Sequence, residues 1–316
     1  MKRNLKKRFV IIFAAIMILL ANVFLRADAN REEKKEISSI PIAMATDNNY
    51  VTPTLVSIVS ASENASPNTK LRFYIMVTND FSEENKVKMQ KLDEKLENSV
   101  ITLINMGDAF KEFEKSFWGT AMYYRLKIGS MLKDESKCIY LDSDTLVLKD
   151  LTEMFNLDIG ENYVAGVLDG YRQCEEHASE LEISDMSQYI CSGSLVWNLN
   201  KVREDIIEEK FEQFLKKATR ENKSLIFPDQ DAINAVCYRK IMDMPFKYGA
   251  IVGLMYCLKY DKDPYLYKLI DRDNWEDGVK NPVVLHFVGK KPWNSHKVKF
   301  SDLWEKYYSN LEKMFM

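Results

Sequence analysis

The sequence predicts an α/β protein built on a largely parallel sheet with helices on its faces, and two observations point there. From Ser38 onward, short apolar runs alternate with longer amphipathic ones, the order that strands joined by crossover helices require. The chain has 316 residues, 46% hydrophobic and 29% charged, with only 11 Gly and 8 Pro. That composition builds a globular core and carries no mark of disorder, collagen or a disulfide scaffold. The five cysteines, at 138, 174, 191, 237 and 257, are odd in number and form no CxxC pair, which argues against a disulfide framework and a structural zinc. A net charge of −3 with no Lys/Arg block beyond the first eight residues offers no footprint for a phosphate backbone, so nucleic acid is not an expected partner.

At the N-terminus Lys2, Arg3, Lys6, Lys7 and Arg8 precede an apolar run over residues 9–25 interrupted only by Asn22. Residues 1–29 therefore read as a signal peptide or an N-terminal membrane anchor, with Ala27-Asp28-Ala29 as an A-x-A-like cleavage site. The positive-inside rule would keep the basic cluster in the cytosol, giving a single-pass type II membrane protein with a lumenal or extracytoplasmic body. Cleavage within 1–29 would instead give a secreted protein. Residues 30–37 read as a charged tether and 38–316 as one catalytic domain, since no linker divides them.

The body is then read element by element. IPIAMATD is a first strand, VTPTLVSIVSAS a helix, LRFYIMVTND a second strand and SEENKVKMQKLDEKLEN a second helix. SVITLINM is a third strand, SFWGTAMYYRLKIGSML a helix with Ser116 as its N-cap, and KCIYLD a fourth strand ending in acid. Beyond Asp150, YVAGVLD and YICSGSLVWNL read as strands, VREDIIEEKFEQFLKKAT and DAINAVCYRK as helices, and PVVLHFVG as a last strand. The polar stretch between Gly170 and Gln188 is long for a connection and is expected to cover a site. The amphipathic C-terminal FSDLWEKYYSNLEKMFM packs on the body or lies on a membrane surface, packing being the default.

The fourth strand carries the chemistry. In extended chain Asp142 and Asp144 share a face, so two carboxylates converge at the carboxyl end of a strand, where open α/β sheets bind ligands. Like charges held together call for a cation, and Mg²⁺ or Mn²⁺ sharing its shell with phosphates supplies one. A solvated acidic turn is the plainer alternative.

Four more segments accompany that one: IAMATDNNY at 42–50, YYRLKIG at 123–129, FPDQDAIN at 227–234 and HFVGKKPW at 286–293, with YLDSDTLVL at 140–148. In this order and spacing they resemble glycosyltransferase family 8, which includes glycogenin and the bacterial lipopolysaccharide glucosyl- and galactosyltransferases. The resemblance runs from residue 40 to 295 and implies the GT-A glycosyltransferase fold, a Rossmann-like mixed sheet flanked by helices. It also implies a UDP-sugar donor and transfer with retention of configuration.

By the same resemblance each motif takes a role. Ala45, Asp47, Asn49 and Tyr50 would hold uracil and ribose, Asp47 accepting from the base and Tyr50 stacking; a strand-to-helix turn capped by Asp47 or Asn48 is the bland alternative. Arg125 matches a donor-contacting arginine, although a surface helical Arg would look the same. Asp142 and Asp144, with Ser143 between them at the donor, match the metal-binding pair, and His286 the third ligand. An imidazole beside carboxylates favours Mn²⁺, with Mg²⁺ the alternative. Gly289 would admit the diphosphate and Lys291 pair with it, unless Lys290 does so, because HxxGxKPW is one residue shorter than the family pattern. Asp229 and Gln230 match the pair beside the anomeric carbon, with Asp229 as a mere N-cap the alternative. Asp169 resembles an acid that touches donor or acceptor hydroxyls, and Cys191 stands where many members have Asn at the donor sugar.

The resulting expectation is a retaining, Mn²⁺-dependent enzyme that moves a hexose, glucose or galactose, from a UDP-sugar to a glycan, glycolipid or protein acceptor, with the membrane as partner through residues 9–25. Front-face attack and double displacement through Asp229 or Gln230 both stay open. Two rivals remain: a catalytically weak, membrane-tethered UDP-sugar-binding module, motivated by Cys191, and a magnesium-dependent phosphatase of the haloacid-dehalogenase type. The phosphatase wants Thr or Val where Leu146 stands.

Overall fold

The computed structural model describes residues 38–316 save 114–118, 172–173, 175–176, 179–180, 224, 258–262 and 264. Ser39–Met316 forms one compact unit. Its main sheet contains β1 (Ser38–Thr46), β2 (Thr69–Val77), β3 (Ser99–Asn105), β4 (Lys137–Leu141), β6 (Val164–Leu168), β7 (Ile190–Asn198) and β8 (Ile241–Asp243). Their order across the sheet is β3-β2-β1-β4-β7-β6-β8. A smaller sheet, ordered β5-β10-β9, comprises β5 (Thr145–Val147), β9 (Ala250–Ile251) and β10 (Val284–His286).

The sheet is mixed, as the family resemblance implied, rather than largely parallel as the alternation of elements suggested. β1 pairs parallel with β4 and β2 with β3, but β7 runs antiparallel to both β4 and β6. Every residue of β7 from Ile190 to Trp197 is buried, and a strand buried on both faces has no alternating pattern from which its direction could be read.

Helix α1 (Val51–Asn64) is buried on nearly every side, because it lies against β5 and the C-terminal helix. Helix α2 (Glu83–Asp93) starts at Ser82, whose side chain accepts from the Asn85 N–H, with Glu83 and Glu84 in its first turn. Both features favour a helix N-terminus. The stretch expected as one helix around Arg125 is instead a 3₁₀ helix, Ala121–Lys127, followed by a short α-helix, Ile128–Met131. Tyr123, Tyr124, Arg125 and Leu126 are all buried, so the segment lacks the polar face of an amphipathic helix. Ser116, its expected cap, lies outside the described residues.

The next long helix is also divided. Leu199–Glu204 is a separate short helix, and Ile206, left-handed at φ 54°, precedes α3 (Ile207–Arg220). Helix α4 (Pro228–Val236) opens on Pro228, whose fixed φ suits a first helical position. Helix α5 (Ser301–Phe315) buries Trp304, Tyr307 and Leu311 against the body, where the Asn64 amide donates to the Tyr307 hydroxyl at 2.7 Å. The C-terminal segment thus packs on the protein. Cys138, Cys174, Cys191 and Cys237 are free and buried.

The expectation of a single-pass type II membrane protein is corrected. Among the described residues no helix is long and apolar enough to cross a membrane. The apolar run at 9–25, the cleavage site and the 30–37 tether lie outside the described residues, so the membrane partner and the signal-anchor reading have no structural support.

Candidate active site

The acidic pair sits just past β4 rather than in it. The strand ends at Leu141, and Asp142, Ser143 and Asp144 form a turn into β5, closed by the Thr145 N–H to the Asp142 carbonyl at 3.2 Å. The two carboxylates still converge. His286 Nε2 lies 3.7 Å from Asp142 Oδ2 and 3.2 Å from Asp144 Oδ1. Asp142, Asp144 and His286 each offer one ligand atom, all within 4.8 Å of one another. Register explains the imidazole: β10 pairs antiparallel with β5, and His286 lies opposite Thr145.

Cations already surround these acids. Arg125, 5% exposed, is no surface residue. It donates to Asp142 Oδ1 at 2.6 Å and to the Ser192 carbonyl at 2.7 Å, and its Nε lies 3.1 Å from Asp229 Oδ2. Its guanidinium also covers the Tyr140 ring at 4.6 Å, and the Tyr140 hydroxyl donates to Asp142 Oδ1 at 3.0 Å. Burial, the largest single influence, would lower the Arg125 pKa, but Asp142, Tyr140 and Asp229 together outweigh it and the net direction is upward.

Lys291 is ion-paired with Asp144 and donates to the Phe287 carbonyl at 2.8 Å. Lys290 is exposed, so of the two candidates only Lys291 reaches the acids. Burial opposes the charge on Asp144, yet His286 and Lys291 hold its carboxyl well below the ordinary value. In the same way burial would lower His286, and Asp144 lifts it well above 6.5. Cys191 Sγ lies 3.6 Å from His286 Nδ1, the nitrogen turned away from the acids.

A second group of polar side chains adjoins the first. Asp229 is not the cap of α4, which is Phe227; it is buried, and the Ser192 hydroxyl donates to its Oδ2 at 3.1 Å. Gln230 is gripped at both ends of its amide. Oε1 accepts from the Ser192 N–H at 3.0 Å, and Nε2 donates to Asp169 Oδ2 at 3.0 Å. Asp169 also accepts from the Tyr171 N–H at 3.1 Å. Burial pushes both Asp229 and Asp169 upward, for Asp229 against the pull of Arg125.

The residues after β1 line up on the other flank. Asp47 Oδ1 accepts from the N–H groups of Asn49 and Tyr50 at 2.8 and 3.0 Å, which closes the turn before α1; the cap of that helix is Tyr50, with no side-chain cap bond, and not Asp47. Asn48 accepts from the Ser82 N–H at 2.9 Å. Tyr50 is 36% exposed and meets Trp293 edge-on at 5.9 Å. Ser143 donates to the Ala45 carbonyl at 2.9 Å, tying this loop to the acidic turn. Gly289 has φ +81° and open space where a side chain would be, a backbone that glycine adopts without strain.

Sequence reasoning missed Tyr140, Ser192 and Gly193. A Cβ on Gly193 would lie 2.1 Å from His286 Cε1 and 2.7 Å from Asp142 Oδ2. A glycine inside a buried strand, here between Ser192 and Ser194, is the signal that marks such an approach.

The glycosyl transferase family 8 model matches residues 41–297. General stress protein A of Bacillus subtilis is 29% identical over 260 residues, covering 81% of this chain and 87% of that protein. Lipopolysaccharide 1,2-glucosyltransferase of Escherichia coli is 25% identical over 264 residues, 82% of this chain and 74% of that protein. Among solved structures, the galactosyltransferase LgtC with donor and acceptor sugar analogs superposes with a TM-score of 0.71 at 25% identity, covering 86% of this chain and 96% of that one. The bifunctional glycosyltransferase WbbM gives 0.72 at 23% identity, this chain spanning 51% of its length. The mixed sheet flanked by helices is the GT-A fold that these glycosyltransferase structures share. With its body matched from residue 41 to 297, the chain is a glycosyltransferase and belongs to glycosyl transferase family 8.

Proposed function

We propose that the chain is a retaining, Mn²⁺-dependent transferase that moves a hexose, glucose or galactose, from a UDP-sugar to a glycan, lipid-linked or protein acceptor. The convergence of Asp142, Asp144 and His286 within 4.8 Å carries this reading. Two carboxylate oxygens and one imidazole nitrogen fit a divalent ion with some affinity for nitrogen, Mn²⁺ before Mg²⁺. Such an ion would neutralise charge on the departing diphosphate.

The chain's own residues would do the rest. Lys291, 15% exposed at its side chain, would exchange its partner Asp144 for a phosphate oxygen, and the bare backbone at Gly289 leaves room for that approach. Arg125, which matches a donor-contacting arginine, would hold Asp142 and Asp229 in fixed orientation. Tyr50 would flank the uracil, supported edge-on by Trp293, with Ala45, Asp47, Asn49 and Ser143 along the nucleoside. Asp229, Gln230, Asp169 and Cys191 would line the sugar. The Gln230 amide oxygen already accepts the Ser192 N–H, which supports a positioning role for it over attack on the anomeric carbon.

The test incubates the protein with UDP-glucose, UDP-galactose and other nucleotide sugars, with Mn²⁺ or a chelator, and scores UDP release without acceptor. Slow Mn²⁺-dependent hydrolysis of one donor, lost in Asp144→Ala, is expected and names the sugar. A folded protein that neither hydrolyses a donor nor binds UDP with Mn²⁺ overturns the reading.

A further inference from the structure

Helix α1 is buried nearly all round, yet Thr54, Ser57 and Ser60, each at most 1% exposed, recur along it at three-residue intervals. Residues so spaced share a helix face. A buried hydroxyl is costly unless it is hydrogen-bonded, and all three find partners in the segment that carries the paired acids. Thr54 Oγ1 lies 2.8 Å from Ser143 Oγ, which itself donates to the Ala45 carbonyl. Ser57 Oγ lies 3.1 Å from Thr145 Oγ1, which donates to the Asp142 carbonyl at 2.8 Å. Ser60 Oγ accepts from the Val147 N–H at 3.0 Å and donates to the Ser57 carbonyl at 2.7 Å.

Thr145 spends its proton on Asp142, so Ser57 donates to Thr145; Ser143 spends its own on Ala45 and accepts from Thr54, whose single proton is shared among Ser143, Thr46 Oγ1 at 3.0 Å and the Tyr50 carbonyl at 2.7 Å. Residues 143, 145 and 147 are thereby all bound to α1, and the two acids at alternate positions point elsewhere, to His286.

We propose that this seam of hydroxyls is a positioning device for the acid pair. Thr54 and Ser57 touch none of the three candidate ligands, but they set the pitch of the 142–145 turn at which both carboxylates meet the imidazole. Apolar side chains of the same shape would fill the space as well, and a satisfied buried polar network supplies what they cannot, a single orientation. The proposal rests on reading Asp142, Asp144 and His286 as a metal site.

Mn²⁺ titration followed by electron paramagnetic resonance, with UDP present and Tm measured alongside, tests it. Thr54→Val/Ser57→Ala is expected to weaken Mn²⁺ binding by about ten-fold or more, the usual effect of losing support behind metal ligands. Thr54→Ser keeps the hydroxyl and should bind as wild type, while Ser60→Ala, bonded beyond the turn, should lower Tm and leave Mn²⁺ affinity within about two-fold. If the double variant does not fold, Ser57→Ala alone is decisive. Wild-type Mn²⁺ affinity in a folded variant lacking these hydroxyls, or an equal loss in Ser60→Ala, overturns the seam. Wild-type protein that binds no Mn²⁺ overturns the metal reading itself, and the seam with it.

Discussion

Gly193→Ala isolates the geometry of the candidate site in one methyl group. The added Cβ would meet His286 Cε1 at 2.1 Å, His286 Nε2 at 2.6 Å and Asp142 Oδ2 at 2.7 Å. Carbon atoms rest about 3.5–4.0 Å apart, so the imidazole must retreat by more than about 1 Å. His286 is 5% exposed and has nowhere to go without moving its neighbours. Overpacking of this kind costs about 1–3 kcal/mol of stability. The effect on the metal is larger in proportion, because ligand distances tolerate only about ±0.2 Å. Loss of a well-placed ligand should weaken Mn²⁺ binding by at least about 100-fold, and a 1 Å misplacement alone can cost about that factor in turnover. Gly166→Ala is the control. Its Cβ would crowd Ile190 Cδ1 at 2.6 Å and Leu195 Cδ2 at 2.8 Å, so it should lower Tm comparably and spare the metal. Calorimetric Mn²⁺ titration, donor hydrolysis and thermal melts on both variants decide. A Gly193→Ala protein that binds Mn²⁺ and hydrolyses donor like wild type would refute the argument.

Lys291→Met should raise the KM for donor by about 10–100-fold, the worth of hydrogen bonds to a charged group, whereas Lys290→Met should change nothing in the same steady-state assay. For pH, His286 is raised, so its contribution to metal-free stability is complete below its ordinary 6.5 and is lost as pH rises through the folded value. Asp144 is depressed, so its contribution is complete above 3.8 and is lost as pH falls. The pair therefore stabilises the metal-free protein most between pH 3.8 and 6.5, which melts across pH will show. Metal binding releases the His286 proton, so Mn²⁺ affinity measured by calorimetry should be higher at about pH 8 than at about pH 6. Cys191→Asn should change the ratio of kcat/KM for UDP-glucose and UDP-galactose by about ten-fold or more; an unchanged ratio removes Cys191 from the sugar.

The acid pair was legible because four further motifs accompany it, since two aspartates after an apolar strand taken alone fit a solvated turn as well; the strand-face argument for their convergence does not describe what happens. Asp142 and Asp144 converge through a turn, held from behind by Ser143 and Thr145. Arg125 could be named only by resemblance, since nothing in YYRLKIG distinguishes a buried arginine from a solvated one. The Lys290 and Lys291 ambiguity needed a backbone: Gly289 turns the chain so that the second lysine faces the acids. Gly193 and Ser192 stayed hidden because their role depends on β7 inserting antiparallel beside β4, a long-range pairing that local pattern does not encode. A signal for the hydroxyl seam was present in VTPTLVSIVSASEN, a helix with five Ser and Thr residues among its apolar ones.

The small β5-β10-β9 sheet sets the time at which the protein can first act. Lys291 and Asp144 are 147 residues apart, and their meeting depends on β10 finding β5 across that interval. At about 5–20 residues per second of synthesis, about 7–30 s pass between the emergence of Asp144 and that of Lys291. Throughout that interval Arg125 is already available to Asp142, while Asp144 has neither its imidazole nor its lysine. Ribosome-bound chains ending before residue 284 should therefore leave the turn open, and transfer competence should arrive in one step, late, when the chain from β10 onward docks.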